Sequence, residues 1–146
     1  MLLRSILTTI ACVLLASVSA GASTPTIVTA GTANWQPAPP AFKGAQLAKI
    51  VGDPAKAGGY YAYLLKVPDG ALVAPHFHGM TENVTVISGI LMVGLGDTVD
   101  RAKMKPLPAG GIASIPAGLH HYAIARGVTI VEISGIGPDT ITFLHK

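Results

Sequence analysis

The chain has 146 residues, of which 50% are hydrophobic and 12% are charged. That length supports one domain, and a hydrophobicity this high with so few charges excludes intrinsic disorder. The formal charge of +3 comes from Lys and Arg residues that are scattered singly, so the chain lacks the basic run that a nucleic-acid-binding arm would need.

Residues 1–20 have the pattern of a signal peptide. They carry one positive charge, Arg4, and then run to Ala20 without another charge. Small residues fit a cleavage site after Ala20 or after Ala22. The alternatives are a membrane anchor, for which the apolar run falls short of the roughly 18–20 residues required, and a lipoprotein processed at Cys12, which the preceding residues fit poorly. We expect export to the periplasm or the medium, with no stable membrane anchor after cleavage.

Residues 21–44 are predicted to form an extended N-terminal arm, because Pro, Ala and Thr dominate them. One edge strand is expected over residues 26–30. Trp35, the only tryptophan of the chain, is expected to anchor this arm on the following domain or on a neighbouring subunit.

Residues 45–146 are predicted to form one all-β domain. Short β-branched runs alternate with turn signals, and none has the apolar period of a helix. The predicted strands are 45–51, 60–67, 71–78, 83–88, 90–95, 111–115, 120–125, 128–133 and 140–144, with a polar connector over 96–105 that contains Asp97 and Asp100. Because strands such as 90–93 are apolar on both faces, we expect a second subunit to cover them, and hence a homodimer.

Histidines and one glutamate form the candidate site. His76 and His78 are two residues apart, so both rings face the same side of a strand. A short reversal can bring Glu82 back beside them. Of the adjacent His120 and His121, only one can join this face, and parity does not decide which. Two or three imidazoles and a carboxylate suit a divalent transition metal. The alternative is that these residues are polar groups at the rim and surface.

The same residues carry a resemblance to the cupin family. Residues 70–89 read Gly70, five residues, His76-Phe77-His78, three residues, Glu82, six residues and Gly89, which resembles the first cupin motif. Residues 110–121 read Gly110, five residues, Pro116-Ala117-Gly118, two residues and His121, which resembles the second. The final Asn of that motif is replaced by Ala125. The resemblance covers residues 45–144.

The resemblance implies a single jelly-roll β-barrel that binds one metal ion inside through His76, His78, Glu82 and His121. It selects His121 over His120, which would then face outward or lie at the rim. Ala125, with Ala123 on the same face, suggests open space inside the barrel. His145, close to the end of the chain, is expected at the surface.

Few other side chains are candidates for acid–base chemistry. Glu132 is a weak catalytic candidate, since a buried carboxylate in the cavity could act as a base. The more favoured interpretation is an exposed strand residue or one paired with Lys66 or Arg126. Four tyrosines are either hydroxyl donors near the metal or packing aromatics: Tyr60, Tyr61, Tyr63 and Tyr122.

Four protein ligands leave one or two positions open on a five- or six-coordinate ion. We expect one divalent transition metal, with Fe or Mn favoured and Ni, Cu or Zn as the alternatives. The leading hypothesis is a metal-dependent oxidoreductase of dioxygenase type acting on a small molecule, with decarboxylase or isomerase chemistry less favoured. The alternative is a non-catalytic cupin that binds a metal or a small ligand. A barrel without metal is the least favoured, because all four ligand positions are filled.

Overall fold

The computed structural model describes residues 24–144, in which nine strands form one curled antiparallel sheet. This confirms the expected all-β, jelly-roll-type fold. One 3-10 turn, Arg101–Lys103, interrupts the strands, and no helix among the described residues is long and apolar enough to cross a membrane. The predicted signal peptide and His145 lie outside the described residues. The strands are β1 (Gln36–Pro37), β2 (Gln46–Val51), β3 (Tyr60–Val67), β4 (Leu72–His78), β5 (Glu82–Leu95), β6 (Lys105–Pro108), β7 (Ile112–Ile115), β8 (His121–Ile136) and β9 (Ile141–Phe143).

Two long strands, β5 and β8, pair with each other along most of their length and connect the rest of the sheet. They pair from Asn83 opposite Ser134 to Leu95 opposite His121. The predicted breaks at residue 89 and at residues 126–127 are wrong, because each strand continues through its glycine. Gly89 and Gly127 have positive φ values of 79° and 70°, and the register shifts between residues 86 and 90. A bulge therefore takes up these left-handed residues without ending either strand.

The connector predicted over residues 96–105 is followed by a strand that the sequence did not reveal. Strand β6 contains two prolines and pairs only with β5, with Val93 opposite Lys105. Proline is tolerated at such an edge, where its missing N–H costs no ladder bond.

The N-terminal arm packs on its own barrel. No strand forms over residues 26–30, so that prediction is wrong, and only Gln36–Pro37 pairs with β2. The Trp35 Nε1–H donates to the Ala30 carbonyl at 3.1 Å, and the Lys66 ammonium of β3 lies 4.2 Å from the centre of the Trp35 ring. Trp35 thus fixes the arm to the outer face of the sheet.

The barrel interior is filled by the inward-facing residues of β3, β5 and β8. Strand parity sends alternate residues inward. The buried apolar side chains on these strands include Leu65, Val84, Val86, Val131 and Ile133. This core is the wall of the cavity that contains the histidines.

Candidate metal centre

Three histidines meet at one end of the barrel interior. His76 and His78 lie two residues apart on β4, and Phe77 between them faces the opposite side, where its ring stacks on His120 at 5.1 Å. His121 begins β8 directly opposite His76. The ring centres of His76 and His121 are 4.2 Å apart, and those of His76 and His78 are 5.1 Å apart. All three residues are buried.

Each of these rings has an acceptor at Nδ1. The His76 Nδ1 lies 2.7 Å from the Ala74 carbonyl, and the His121 Nδ1 lies 2.9 Å from the Leu119 carbonyl. An acceptor at Nδ1 favours the tautomer that carries its proton there and leaves the Nε2 lone pair free. One ligand nitrogen from each of the three histidines lies within 4.8 Å of the others, so the three rings could hold one metal ion.

Glu82, the first residue of β5, brings a carboxylate to the same point. Its Oε1 is 3.4 Å from the His78 Nε2, and its Oε2 is 3.3 Å from the His121 Nε2. The His78 Nε2 is buried and has no hydrogen-bond partner among the described residues. An unpaired buried nitrogen costs free energy unless something binds it, and a divalent transition metal suits this mixture of nitrogen and oxygen donors. The residues fit the metal that the resemblance implies.

The environments of His76 and His78 shift their pKa values in opposite directions. Burial lowers the pKa of His76 to about 4, against a smaller opposing effect of its hydrogen bond to Ala74. Burial also acts to lower the pKa of His78, but the hydrogen bond to Asp139 and the charges of Glu82 and Asp139 outweigh it and raise that pKa above its ordinary value. The His76 ring is thus neutral over a wide pH range, whereas His78 is protonated before His76 as the pH falls.

The four tyrosines take different positions, and only Tyr63 lines the cavity around the histidines. Its hydroxyl lies 3.4 Å from Asp139 Oδ2. Burial, together with the negative charge of Asp139, raises the pKa of both Tyr61 and Tyr63, so both phenols stay protonated and can donate. Tyr60 is exposed, and the Tyr122 hydroxyl bonds to the backbone of Asp100.

The cavity beside the histidines is small and mainly apolar. Its volume is about 50 Å³, room for a few water molecules, since one water needs roughly 10–15 Å³ of such space. The polar residues on its wall are the three histidines, Glu82 and Tyr63, and no Lys or Arg lines it among the described residues. Ala123 lines this space as expected, whereas Ala125 packs in the core and does not border it.

Glu132 and His120 are not brought to this site. The neighbours of Glu132 on β8, Val131 and Ile133, line the cavity, so Glu132 faces the outer side, in a groove of about 500 Å³ beneath the arm. The weaker interpretation, in which Glu132 is a base in the cavity, is therefore wrong, and strand parity places this residue outside, as the favoured interpretation expected. His120 also faces outward, where its Nδ1 lies 2.6 Å from the Asp97 carboxylate.

Asp139 is the residue near the site that the sequence analysis missed. Its Oδ1 lies 2.8 Å from the His78 Nδ1, although 61 residues separate the two in sequence. It follows Gly137-Pro138, which indicated only a turn before β9. A carboxylate that follows a turn signal gives no indication of the ring it will contact.

Comparison with known proteins agrees with this fold. A family model described as Cupin matches residues 54–141, and no curated protein matches the chain. The polyketide cyclase RemF from Streptomyces resistomycificus has a similar structure, with a TM-score of 0.68 and 16% identity over 84% of this chain and 87% of that chain.

Two further structures share the fold at low identity. An acetylacetone dioxygenase from Acinetobacter johnsonii has a TM-score of 0.63 and 15% identity, over 86% of this chain and 80% of that one. KdgF from Halomonas sp. has a TM-score of 0.58 and 20% identity, over 78% of this chain and 96% of that one. The family match spans more than half of the chain and includes the residues of both motifs, and the chain therefore belongs to the cupin family.

Proposed function

We propose that this protein is a metal-dependent cupin oxidoreductase of dioxygenase type that acts on a small molecule in the barrel. The convergence of three histidine nitrogens and the Glu82 carboxylate in a buried cavity carries the proposal. His76, His78, Glu82 and His121 would hold one divalent ion, with Fe or Mn favoured and Ni, Cu or Zn also accepted by this donor set. Such an ion would supply Lewis-acid and oxygen chemistry at a position that the protein ligands leave open.

The cavity residues around this ion would bind and orient the substrate. The wall is mainly apolar, and the Tyr63 hydroxyl is the polar group on it that is not a proposed metal ligand. One of the structures with this fold is an acetylacetone dioxygenase, which supports an oxygenase as the reaction class. The small cavity favours a small molecule as the substrate.

The experiment that tests this function is metal analysis of the native protein followed by O₂-uptake measurements. We expect one divalent ion per chain and O₂ consumption with small neutral enolisable compounds or phenols. Glu132→Gln is the control, because Glu132 lies in the outer groove and its loss should leave O₂ uptake unchanged. Native protein without stoichiometric metal would overturn the proposal.

A non-catalytic cupin that binds a metal or a small ligand is the second candidate. It is favoured by the small cavity and by the lack, among the described lining residues, of an acidic side chain other than Glu82. Stoichiometric metal without turnover of any compound tested, together with tight binding of a small ligand, would select it.

We further propose export and self-association. Residues 1–20 support export, and the exported protein should begin at Gly21 or at Ser23 when its N-terminus is sequenced.

The proposed self-association is a homodimer. Three apolar side chains, those of Ile87, Val128 and Ile136, are 45%, 59% and 46% exposed, which supports a homodimer that covers some of them. Light scattering should give twice the mass of the processed chain, and a monomer would contradict the dimer.

A further inference from the structure

The three inward-facing histidines are not equivalent. The Nδ1 of His76 and the Nδ1 of His121 each contact a backbone carbonyl, whereas the Nδ1 of His78 contacts the Asp139 carboxylate. A carboxylate acceptor makes the opposite ring nitrogen a stronger donor to a metal and fixes the orientation of the ring. His78 therefore differs from the other two histidines of the proposed metal centre.

The fold holds Asp139 in place from several directions. The Asp139 N–H donates to the Pro54 carbonyl at 2.7 Å, and the Gly137 N–H donates to the Gly59 carbonyl at 2.8 Å. The backbone approaches so closely that a Cβ on Gly137 would lie 2.8 Å from the Pro54 carbonyl oxygen. The Tyr63 hydroxyl donates to the second carboxylate oxygen of Asp139 at 3.4 Å. The Asp139 carboxylate is thus fixed before any metal binds.

Asp139 also changes the charge balance of the site. Its side chain is 11% exposed and that of Glu82 is 7% exposed, so solvent screens neither carboxylate fully. Two carboxylates balance the charge of one divalent ion. Without Asp139 the same centre would carry a net charge of +1, and no Lys or Arg lines the described cavity to add to it.

We propose that Asp139 is a positioning residue of the metal centre, which orients His78 and supplies the second negative charge, so that the loaded cavity prefers neutral ligands to anions. This inference rests on the metal site of the proposed function, but it requires no turnover. It places the substrate among neutral molecules rather than carboxylates or phosphates.

The test uses the full chain loaded with Co²⁺, whose visible absorption reports its ligands, and azide as the anionic probe. Asp139→Asn keeps an acceptor for the His78 ring but removes the charge. We expect Co²⁺ to bind roughly 10- to 100-fold more weakly and azide to bind the loaded centre about tenfold more tightly. Asp97→Asn is the matched control, since Asp97 makes the same contact with His120 outside the barrel, and it should change neither affinity.

One further variant separates position from charge. Asp139→Glu keeps the charge but displaces the carboxylate, so Co²⁺ should bind more weakly while azide affinity stays unchanged. Should the Asn variant fail to fold, the Glu variant carries the test, and wild-type Co²⁺ affinity in it would overturn the positioning role.

The outcomes distinguish this inference from the proposed function. Wild-type affinities for both Co²⁺ and azide in Asp139→Asn would overturn the role of Asp139 while leaving the metal site intact. Equal effects of Asp139→Asn and Asp97→Asn would also overturn it. Failure of the wild-type protein to bind Co²⁺ would overturn the proposed function itself.

Discussion

Two histidine–aspartate pairs in this molecule make nearly the same contact in opposite environments. The His78 Nδ1 lies 2.8 Å from Asp139, and its side chain and that of Asp139 are 5% and 11% exposed. The His120 Nδ1 lies 2.6 Å from Asp97, and those side chains are 36% and 67% exposed. By contact distance alone, the interaction of the outer pair would be the stronger. The burial of the inner pair makes its interaction the stronger one.

The difference follows from what the second nitrogen of each ring faces. The His78 Nε2 lies among the other proposed metal ligands, 3.4 Å from a Glu82 oxygen, and both side chains are buried. The His120 ring stacks on Phe77 at the surface, where water screens the charge of Asp97. Under the proposed function, burial rather than the length of the hydrogen bond distinguishes the pair that belongs to the metal site.

The largest effect should come from removing a ring on the buried side. His78→Ala should weaken binding of Mn²⁺ or Co²⁺ by more than the roughly 10- to 100-fold that loss of a ligand's hydrogen-bond partner costs, because a donor atom itself is lost. His120→Ala is the matched control and should bind metal as the wild type does. Calorimetric titration of both variants checks this, and equal losses would contradict the distinction between the two pairs.

Acid should release the metal, with His78 protonated first. Its pKa is raised above the ordinary value and that of His76 is lowered to about 4, and only the neutral ring binds metal. Because the pKa of His78 is raised, we expect metal affinity to begin to fall at a pH above the ordinary histidine value of about 6.5 and to fall further as the pH drops. Titrations at several pH values measure this, and an affinity unchanged between pH 8 and pH 5 would contradict it.

In the metal-free protein, protonation of His76 and protonation of His78 change the free energy of unfolding in opposite directions. The unfolded chain protonates residue 76 near pH 6.5 whereas the folded state does not until about pH 4, so stability falls as the pH drops through this window. His78, with its raised pKa, contributes stability at low pH that is lost as the pH rises through that pKa. Urea unfolding of His76→Ala should show less acid destabilisation than the wild type, and an equal pH dependence would contradict the assignment.

A moderate effect should follow from displacing the loop that holds Asp139. A Cβ at Gly137 would contact the Lys56 carbonyl and lie 2.8 Å from the Pro54 carbonyl, so Gly137→Ala should cost about 1–3 kcal/mol of stability and weaken metal binding as well. Gly31→Ala is the control, because the nearest atom to its added Cβ would be 3.8 Å away. Unfolding and metal titration of both variants test this, and wild-type metal affinity in Gly137→Ala would contradict the role of the loop.

The smallest effect should come from the exposed pair. Asp97→Asn removes a charge that water screens, so the free energy of unfolding should change by less than about 1 kcal/mol. Chemical denaturation at low and high salt measures it. A loss of several kcal/mol would show that the outer pair is not equivalent to an ordinary surface contact.

The sequence predicted the class of fold and the histidine cluster because both depend on local spacing. His-x-His on one strand places two rings on one face wherever the strand lies, and the resemblance supplied His121 as the third. The structure brings His121, and not His120, beside them. Glu132 was open to the same reasoning, since its neighbours Val131 and Ile133 are inward-facing and parity sends it outside.

Other features depend on contacts that spacing does not encode. Asp139 reaches His78 because backbone hydrogen bonds hold residues 137–139 against residues 54–59. Predicted strands ended at residues 88 and 125, but the pairing of β5 with β8 carries both strands past Gly89 and Gly127. Strand β6 was not predicted, and its edge position tolerates its two prolines. In each case a tertiary neighbour outweighed the local signal.

The most direct test of the account is the position of a bound metal in crystals soaked with Mn²⁺, located by its anomalous scattering. We predict one peak per chain, among the Nε2 atoms of His76, His78 and His121 and within coordination distance of Glu82. No peak at these residues, or one at the Asp97–His120 pair alone, would contradict it.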